Sequence, residues 1–206
     1  MRARLKFKSF VVIVLLLLLV ILLPVLASGG LADANKKMPS PYSHKEFVKE
    51  IAPTAQKLSK IYGVRSSIII GQAALDSHFG STLLASKYHN LFSIEASPGQ
   101  GAVRLKSHEY KNGRWQEVTN RYLVYESWRE SLYDYMAILH GNKIWDKALY
   151  TTMMTSSGYK TVARALQAAG FNSDPNYADK LIAVSIKTTI VLIVEEYSLK
   201  TIKKAF

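Results

Sequence analysis

Between Ser9 and Ala32 the chain carries no charged residue, and Phe10 to Ala27 is an almost unbroken run of Val, Ile and Leu interrupted by Pro24. A helix of that length reaches about 27 Å, close to the ~30 Å hydrocarbon core of a bilayer. Arg2, Arg4, Lys6 and Lys8 precede the run. Cations on that side place the flank in the cytoplasm and everything after Asp33 outside the cell. Val25-Leu-Ala27 followed by Ser28 also suits a signal peptidase, so a cleaved leader is the alternative. The run is longer than most leader cores, which favours a retained single-pass anchor in the cell membrane. In both cases the rest of the chain is exported. The expected organisation is a basic flank over 1–8, a membrane span over 9–32, a polar linker over 33–42 and one domain over 43–200.

The exported part remains basic, because the four cations before the span supply only a third of the net charge of +12. Outside a cell nucleic acid is not a sensible partner. Anionic wall polymers and lipid headgroups are. The 49% apolar content argues against disorder, and the absence of cysteine removes disulfides and thiol nucleophiles. No P-loop, dinucleotide fingerprint, G-x-S-x-G elbow or H-E-x-x-H motif occurs, and the five histidines are scattered. No cofactor and no metal are expected.

Helix signals frame the domain. Ser43 with Glu46 has the form of a capping box, Phe47, Ile51, Ala55, Leu58 and Tyr62 recur at helical spacing, and Gly63 closes the segment. Pro53 is expected to kink this helix or to mark its true start. A second helix is predicted from Ser67 to His78, ended by Gly80, and one short helical turn within Ser81 to Tyr88. Pro98, Gly99 and Gly101 then break the pattern, and Asn112-Gly113 between strand-like flanks predicts a two-residue hairpin turn. Ser127 with Glu130 resembles another capping box, with Trp128, Leu132, Tyr135 and Leu139 on one face and Gly141 at the end. Asp174-Pro175 starts a last helix running to Val194. The chain is thus mainly α (α+β), two-lobed, with a small β-hairpin lobe, and two unlike lobes leave a cleft.

Asp76 ends the apolar run Ser66 to Leu75. A carboxyl at a helix C-terminus among apolar neighbours is pushed toward its protonated form. Such a proton-loaded carboxyl is what glycosidic cleavage requires of its general acid. A second carboxylate would come from the facing hairpin. The turn sets Glu109 opposite Gln116 and His108 opposite Glu117. Alternation sends Glu109 and Tyr110 to opposite faces, so one of Glu109 and Glu117 faces the cleft. The residues alone leave that choice open. Tyr88, Phe92, Tyr110, Trp115, Tyr122 and Tyr125 cluster in and around this lobe. Some are expected to stack on sugar rings and at least half to pack in the core.

The stretches Ile68-Ile-Ile-Gly-Gln-Ala-Ala-Leu-Asp-Ser-His-Phe-Gly80 and Ala85-Ser-Lys-Tyr-His-Asn-Leu-Phe-Ser-Ile94 resemble the glucosaminidase domain of glycoside hydrolase family 73. His108-Glu-Tyr-Lys-Asn-Gly-Arg-Trp115, Tyr122-Leu-Val-Tyr-Glu-Ser127 and Ser173-Asp-Pro-Asn-Tyr-Ala-Asp-Lys-Leu181 continue the likeness, which spans roughly residues 43 to 198. The resemblance implies a lysozyme-like fold and endo-β-N-acetylglucosaminidase cleavage of the GlcNAc-β-1,4-MurNAc bond in peptidoglycan glycan strands. It also implies catalytic roles for Asp76, Glu109 and Tyr177, which breaks the tie with Glu117. Asn90 and Phe92 match the motif that shapes the cleft, and Gln72, Tyr110 and Tyr125 are the other expected substrate-contacting residues. Two positions depart from the family pattern: Asp76 stands where glutamate is usual, and Ser93 where glycine is. The shorter acid sets the carboxyl back by about 1.5 Å, and a misplacement of about 1 Å can cost a hundredfold in rate. The alternatives are therefore a weak or inactive glycan-binding protein, or cleavage on the muramic acid side. A membrane partner protein is compatible with a retained anchor, but the leucine-rich span shows no packing motif to name one.

Overall fold

The computed structural model describes Val12, Val14 and residues 30–141, 147–156 and 158–188. The expected membrane span lies outside these residues except for Val12 and Val14, both helical, and Gly30-Leu-Ala32. No helix among the described residues is long and apolar enough to cross a membrane.

Helix α1 spans His44–Tyr62. Ser43 Oγ accepts the Glu46 N–H, and the Glu46 carboxylate accepts the Ser43 N–H at 2.7 Å, completing the capping box. Gly63, at φ 74°, ends the helix in the left-handed region that a side chain disfavours. The helix runs through Pro53 rather than starting there. Its apolar stripe from Phe47 to Leu58 is buried against helices α2 (Ser66–Asp76) and α4 (Trp128–His140).

Helix α2 is the centre of the core. Every residue from Ile68 to Ala74 is buried, so it has no polar face at all. Each buried isoleucine contributes about 1.5–3 kcal/mol relative to exposure. A helix over 177–188, α7, crosses it closely at Gly71. A Cβ on Gly71 would stand 2.4 Å from Ser185 Oγ. Helix α2 ends at Asp76, two residues before the predicted His78. Ser77 Oγ donates to the Ala73 carbonyl and accepts the Gly80 N–H, while Phe79 N–H reaches back to Ala74 O. The serine hydroxyl thus satisfies groups that another helical turn would have used.

Helix α3 (Leu83–Tyr88) starts from Thr82, whose hydroxyl accepts the Ala85 N–H. The two-stranded antiparallel sheet follows, β1 over Ala102–Lys111 and β2 over Arg114–Leu123. Asn112 (φ 54°) and Gly113 (φ 77°) make its turn, both left-handed as this hairpin type requires. Glu109 faces Gln116 and His108 faces Glu117, the register the turn predicts. Val103-Arg-Leu105, which alternates as a strand does, lies in β1. Helix α4 is capped by Ser127 Oγ on Glu130 N–H. The Glu130 carboxylate accepts the Glu126 N–H instead of that of Ser127, so the second capping box is only half formed. Helices α5 (Lys147–Thr155) and α6 (Tyr159–Ala168) pack on each other. Residues beyond 188, including the expected end of the last helix at Val194, lie outside the described part.

Residues 33–42 differ from the expected linker. Ala34 is buried with Leu83, Leu84, Leu105 and Tyr122. Its N–H donates to Lys106 O and its carbonyl accepts the Leu84 N–H, while Met38 N–H donates to Ser81 O. The segment is a strap that ties the hairpin to α3. One small apolar residue in a polar stretch is a weak sequence signal, and the anchoring is backbone hydrogen bonding that any side chain permits.

Candidate active site

Asp76 is the last residue of α2. The residue keeps some contact with solvent, yet protein fills the space around its carboxyl. Burial pushes its pKa up to about 8, against a weaker downward pull from Tyr177. The Tyr177 hydroxyl donates to Oδ2 across a long 3.4 Å. One turn earlier on the same face, Gln72 is fully buried, and its Oε1 accepts the Tyr135 hydroxyl at 2.9 Å. Among the described residues Gln72 Nε2 has no hydrogen-bond partner. Burial, and then the nearby Asp76, raise both Tyr135 and Tyr177 well above the ordinary tyrosine range. Both phenols therefore stay protonated donors around a carboxyl that is itself mostly neutral at pH 7.

Tyr177 is placed by the turn before α7. Asp174 Oδ1 accepts the Asn176 N–H at 2.9 Å and Asp174 O accepts the Tyr177 N–H. Burial opposes the charge of Asp174, but the Lys180 ammonium and the Asn176 N–H outweigh it and hold the carboxyl below its usual range.

Glu109 lies on the inward face of the hairpin, together with buried Leu105 and Ser107, and on the face opposite Glu117. Glu117 pairs instead with Lys106 at 2.9 Å. The Lys111 ammonium, 2.5 Å away, and then the Asn120 amide, 3.0 Å away, hold Glu109 below the ordinary carboxylate range. Asn120 Nδ2 also donates to Glu95 Oε1 at 2.6 Å, so one amide spans two carboxylates. Glu95 moves upward, through burial and then through the charge on Glu109. Tyr110 N–H donates to Ser173 Oγ at 3.0 Å. This bond ties the hairpin, at the residue after Glu109, to the turn that carries Tyr177.

The expected substrate-contacting residues divide. Gln72 stands beside the acid. Asn90 is spent internally: its Nδ2 donates to Ile94 O and Leu123 O, both at 2.9 Å, and its Oδ1 accepts the Ile94 N–H. Phe92 is buried and stacks on Tyr135 at 3.9 Å. Tyr125 is buried too, with its hydroxyl donating to Asp134 Oδ2 at 2.7 Å. Tyr110 lies on the face away from Glu109 and meets Trp115 edge-on, with Trp115 half exposed. Glu95, Asn120 and Ser173 escape a linear reading. For Asn120 a signal exists, since alternation from Gln116 puts it on the face of Glu109. No group of histidine, aspartate and glutamate able to hold a metal ion occurs among the described residues.

Comparison with known proteins matches residues 52–189 to the family model of the mannosyl-glycoprotein endo-beta-N-acetylglucosaminidases. Exo-glucosaminidase LytG of Bacillus subtilis is 32% identical over 138 residues, covering 67% of this chain and 49% of LytG. Peptidoglycan hydrolase FlgJ of Escherichia coli K12 is 34% identical over 147 residues, covering 68% and 45%. The chain thus spans about half the length of these curated relatives. Among solved structures, the catalytic domain of the autolysin Auto from Listeria monocytogenes superposes with a TM-score of 0.62 at 28% identity, covering 75% of this chain and 90% of that domain. A mutant peptidoglycan hydrolase from Sphingomonas sp. A1 gives 0.63 at 29% identity, with 72% and 98% covered. With its helical body, its two-stranded hairpin and a match covering two thirds of its length, the chain belongs to the glucosaminidase family and has that family's lysozyme-like fold.

Proposed function

We propose that this chain is an endo-β-N-acetylglucosaminidase that hydrolyses the GlcNAc-β-1,4-MurNAc bond of peptidoglycan glycan strands. The observation that carries the reading is Asp76, a carboxyl that burial keeps protonated near neutrality with a tyrosine hydroxyl against it. Asp76 gives its proton to the glycosidic oxygen as the C1–O bond breaks. Glu109, kept ionised by Lys111 and Asn120, is the anionic partner. It takes a proton from the attacking water, or from the sugar's own 2-acetamido nitrogen if that group attacks first. Tyr177 orients Asp76 and faces the charge developing on the sugar. Supporting the substrate class are family membership and the peptidoglycan hydrolases among the relatives. The anchor over 9–32, read from its charge-free apolar run, puts this chemistry at the outer face of the membrane.

The test is an assay of the full chain, purified in mild detergent, on glycan strands, with mass spectrometry of the new reducing ends. Products ending in N-acetylglucosamine, lost in Asp76→Asn, are expected. Products ending in N-acetylmuramic acid would assign the other bond. Activity that appears only in Asp76→Glu would make the native chain a glycan-binding protein.

A further inference from the structure

A cavity of about 510 Å³ opens where the strap meets the turn that follows Asp76. Asp76 does not line it. Its walls include Lys37 and His44 from the strap side, His78 and Phe79 from the turn, and the hydroxyl-bearing Tyr42 and Ser81. Among the described residues no carboxylate lines it. Burial, then the ammonium groups of Lys37 and Lys180, hold His78 below its ordinary pKa, so positive potential converges on this wall. Lys180 is paired with Asp174, whereas Lys37 has no carboxylate partner among the described residues.

The site is held rigidly. His44 and Phe79 stack face to face at 3.8 Å, and Phe79 rests edge-on against Phe47 in the core. The Tyr42 hydroxyl donates to Gly80 O at 3.0 Å. Gly80 leaves no room for a side chain, because a Cβ there would stand 2.6 Å from Trp128 and 2.7 Å from the Tyr42 hydroxyl. His78 and Phe79 both hold positive φ, 47° and 56°, which costs non-glycine residues about 1–2 kcal/mol each.

His78 follows Asp76 by two residues, so their Cα atoms are no more than about 7.6 Å apart. This wall and the acid therefore belong to one short stretch of chain. Resting on the functional reading above, we propose that the cavity receives a carboxylate of the peptide stem borne by the muramic acid residue, so that the chain prefers stem-bearing strands to bare ones. In that polymer N-acetylglucosamine is uncharged, and the lactyl carboxyl of muramic acid is taken up in the amide to its peptide, so on stem-bearing strands the free carboxylates lie on the stems. A cavity that presents the Lys37 ammonium beside the turn after the acid therefore has a partner on the substrate itself. The stacked His44–Phe79 pair offers a flat surface to the stem's aliphatic side chains.

The test uses the full chain in detergent with Asp76→Asn added to prevent turnover. Two soluble fragments are titrated calorimetrically, a disaccharide bearing its peptide and the same disaccharide with the peptide replaced by a methylamide, which keeps the lactyl carboxyl neutral. The peptide-bearing fragment is expected to bind about tenfold more tightly, the value of one charge-assisted hydrogen bond. Lys37→Ala should remove that advantage, Lys37→Arg should keep it, and neither should change affinity for the bare disaccharide. Lys37 is exposed, and unchanged melting temperatures will show that the variants fold. Equal affinity for the two fragments, or equal loss on both in Lys37→Ala, overturns the proposal. So does a Lys37-dependent site that binds glycerol phosphate oligomers but gives no gain from the peptide. Hydrolysis of bare strands by the native chain would still uphold the glucosaminidase reading, so the two failures are distinguishable.

Discussion

Replacing the proposed acid by its neutral isostere is expected to stabilise the protein while abolishing its activity. Asp76 titrates near 3.8 when unfolded and near 8 in the fold, so the folded state binds the extra proton throughout the interval between. Stability is then fully present below the unfolded value and is lost as pH rises toward the folded one. At pH 7 the interval already crossed is about three pH units, which at about 1.4 kcal/mol each makes about 4 kcal/mol. Residual solvent contact at Asp76 reduces this to about 2–4 kcal/mol. Asp76→Asn has no proton to lose, and its amide can still accept from Tyr177. In a chain of this size each kcal/mol moves the melting temperature by about 2–4 °C, so Asp76→Asn should melt roughly 5–10 °C higher at pH 7. Melting of both full chains, followed by near-UV circular dichroism from pH 4 to 8, measures the difference. It should vanish near pH 4 and grow with pH. An Asn variant no more stable than the native chain at pH 7, or a difference that does not change with pH, would refute the account of Asp76 as a buried, proton-loaded acid.

The pH dependence of kcat/KM on glycan strands should fall above about 8, as Asp76 ionises, and on the acid side only below the ordinary carboxylate range, where Glu109 protonates. Tyr177→Phe removes a hydrogen bond that favours ionised Asp76, so the alkaline limb should move upward while kcat drops by about tenfold. Asn120→Ala strips the shared donor from Glu95 and Glu109 and should move the acid limb upward, with a stability loss of about 1–3 kcal/mol in denaturant unfolding. Gly71→Ala forces a methyl against Ser185 and should cost about 1–3 kcal/mol without moving either limb.

What could be read from the sequence follows from local chemistry. Asn112-Gly113 prescribes two left-handed residues, and counting outward from that turn gives the register that sets Glu109 inward and Glu117 outward. Ser43 and Glu46 cap α1 as their spacing predicts. Where a residue had two uses, the local rule failed. Glu130 caps with the wrong neighbour, and the hydroxyl of Ser77 ends α2 before His78. Asn90 and Tyr125 look like ligand-facing polar residues, but they serve as internal fasteners because their partners, Leu123 O and Asp134, arrive from other parts of the chain. The bridge from Glu95 through Asn120 to Glu109 joins three segments and exists only once the hairpin docks. Helices α5 and α6 gave no clear boundaries in the sequence, and Gly158 at the start of α6 offers no side chain to cap it.

The opposite protonation of the two proposed catalytic carboxyls traces to the secondary structure that carries each. On a strand, residue i+2 returns to the same face, so Lys111 stands beside Glu109 by periodicity alone, and Asn120 reaches it from the partner strand. On a helix, the nearest same-face position is i−4. For Asp76 that position is Gln72, which is neutral, in a helix whose other residues from Ser66 onward carry no charge. The apolar composition that makes α2 the centre of the core therefore also deprives Asp76 of any counter-charge along its own helix. The only hydrogen-bond partner of its carboxyl among the described residues is the neutral Tyr177, brought from the far end of the domain. Introducing a cation on α2 would undo this, because it would ionise the acid at the expense of the burial that holds the fold together.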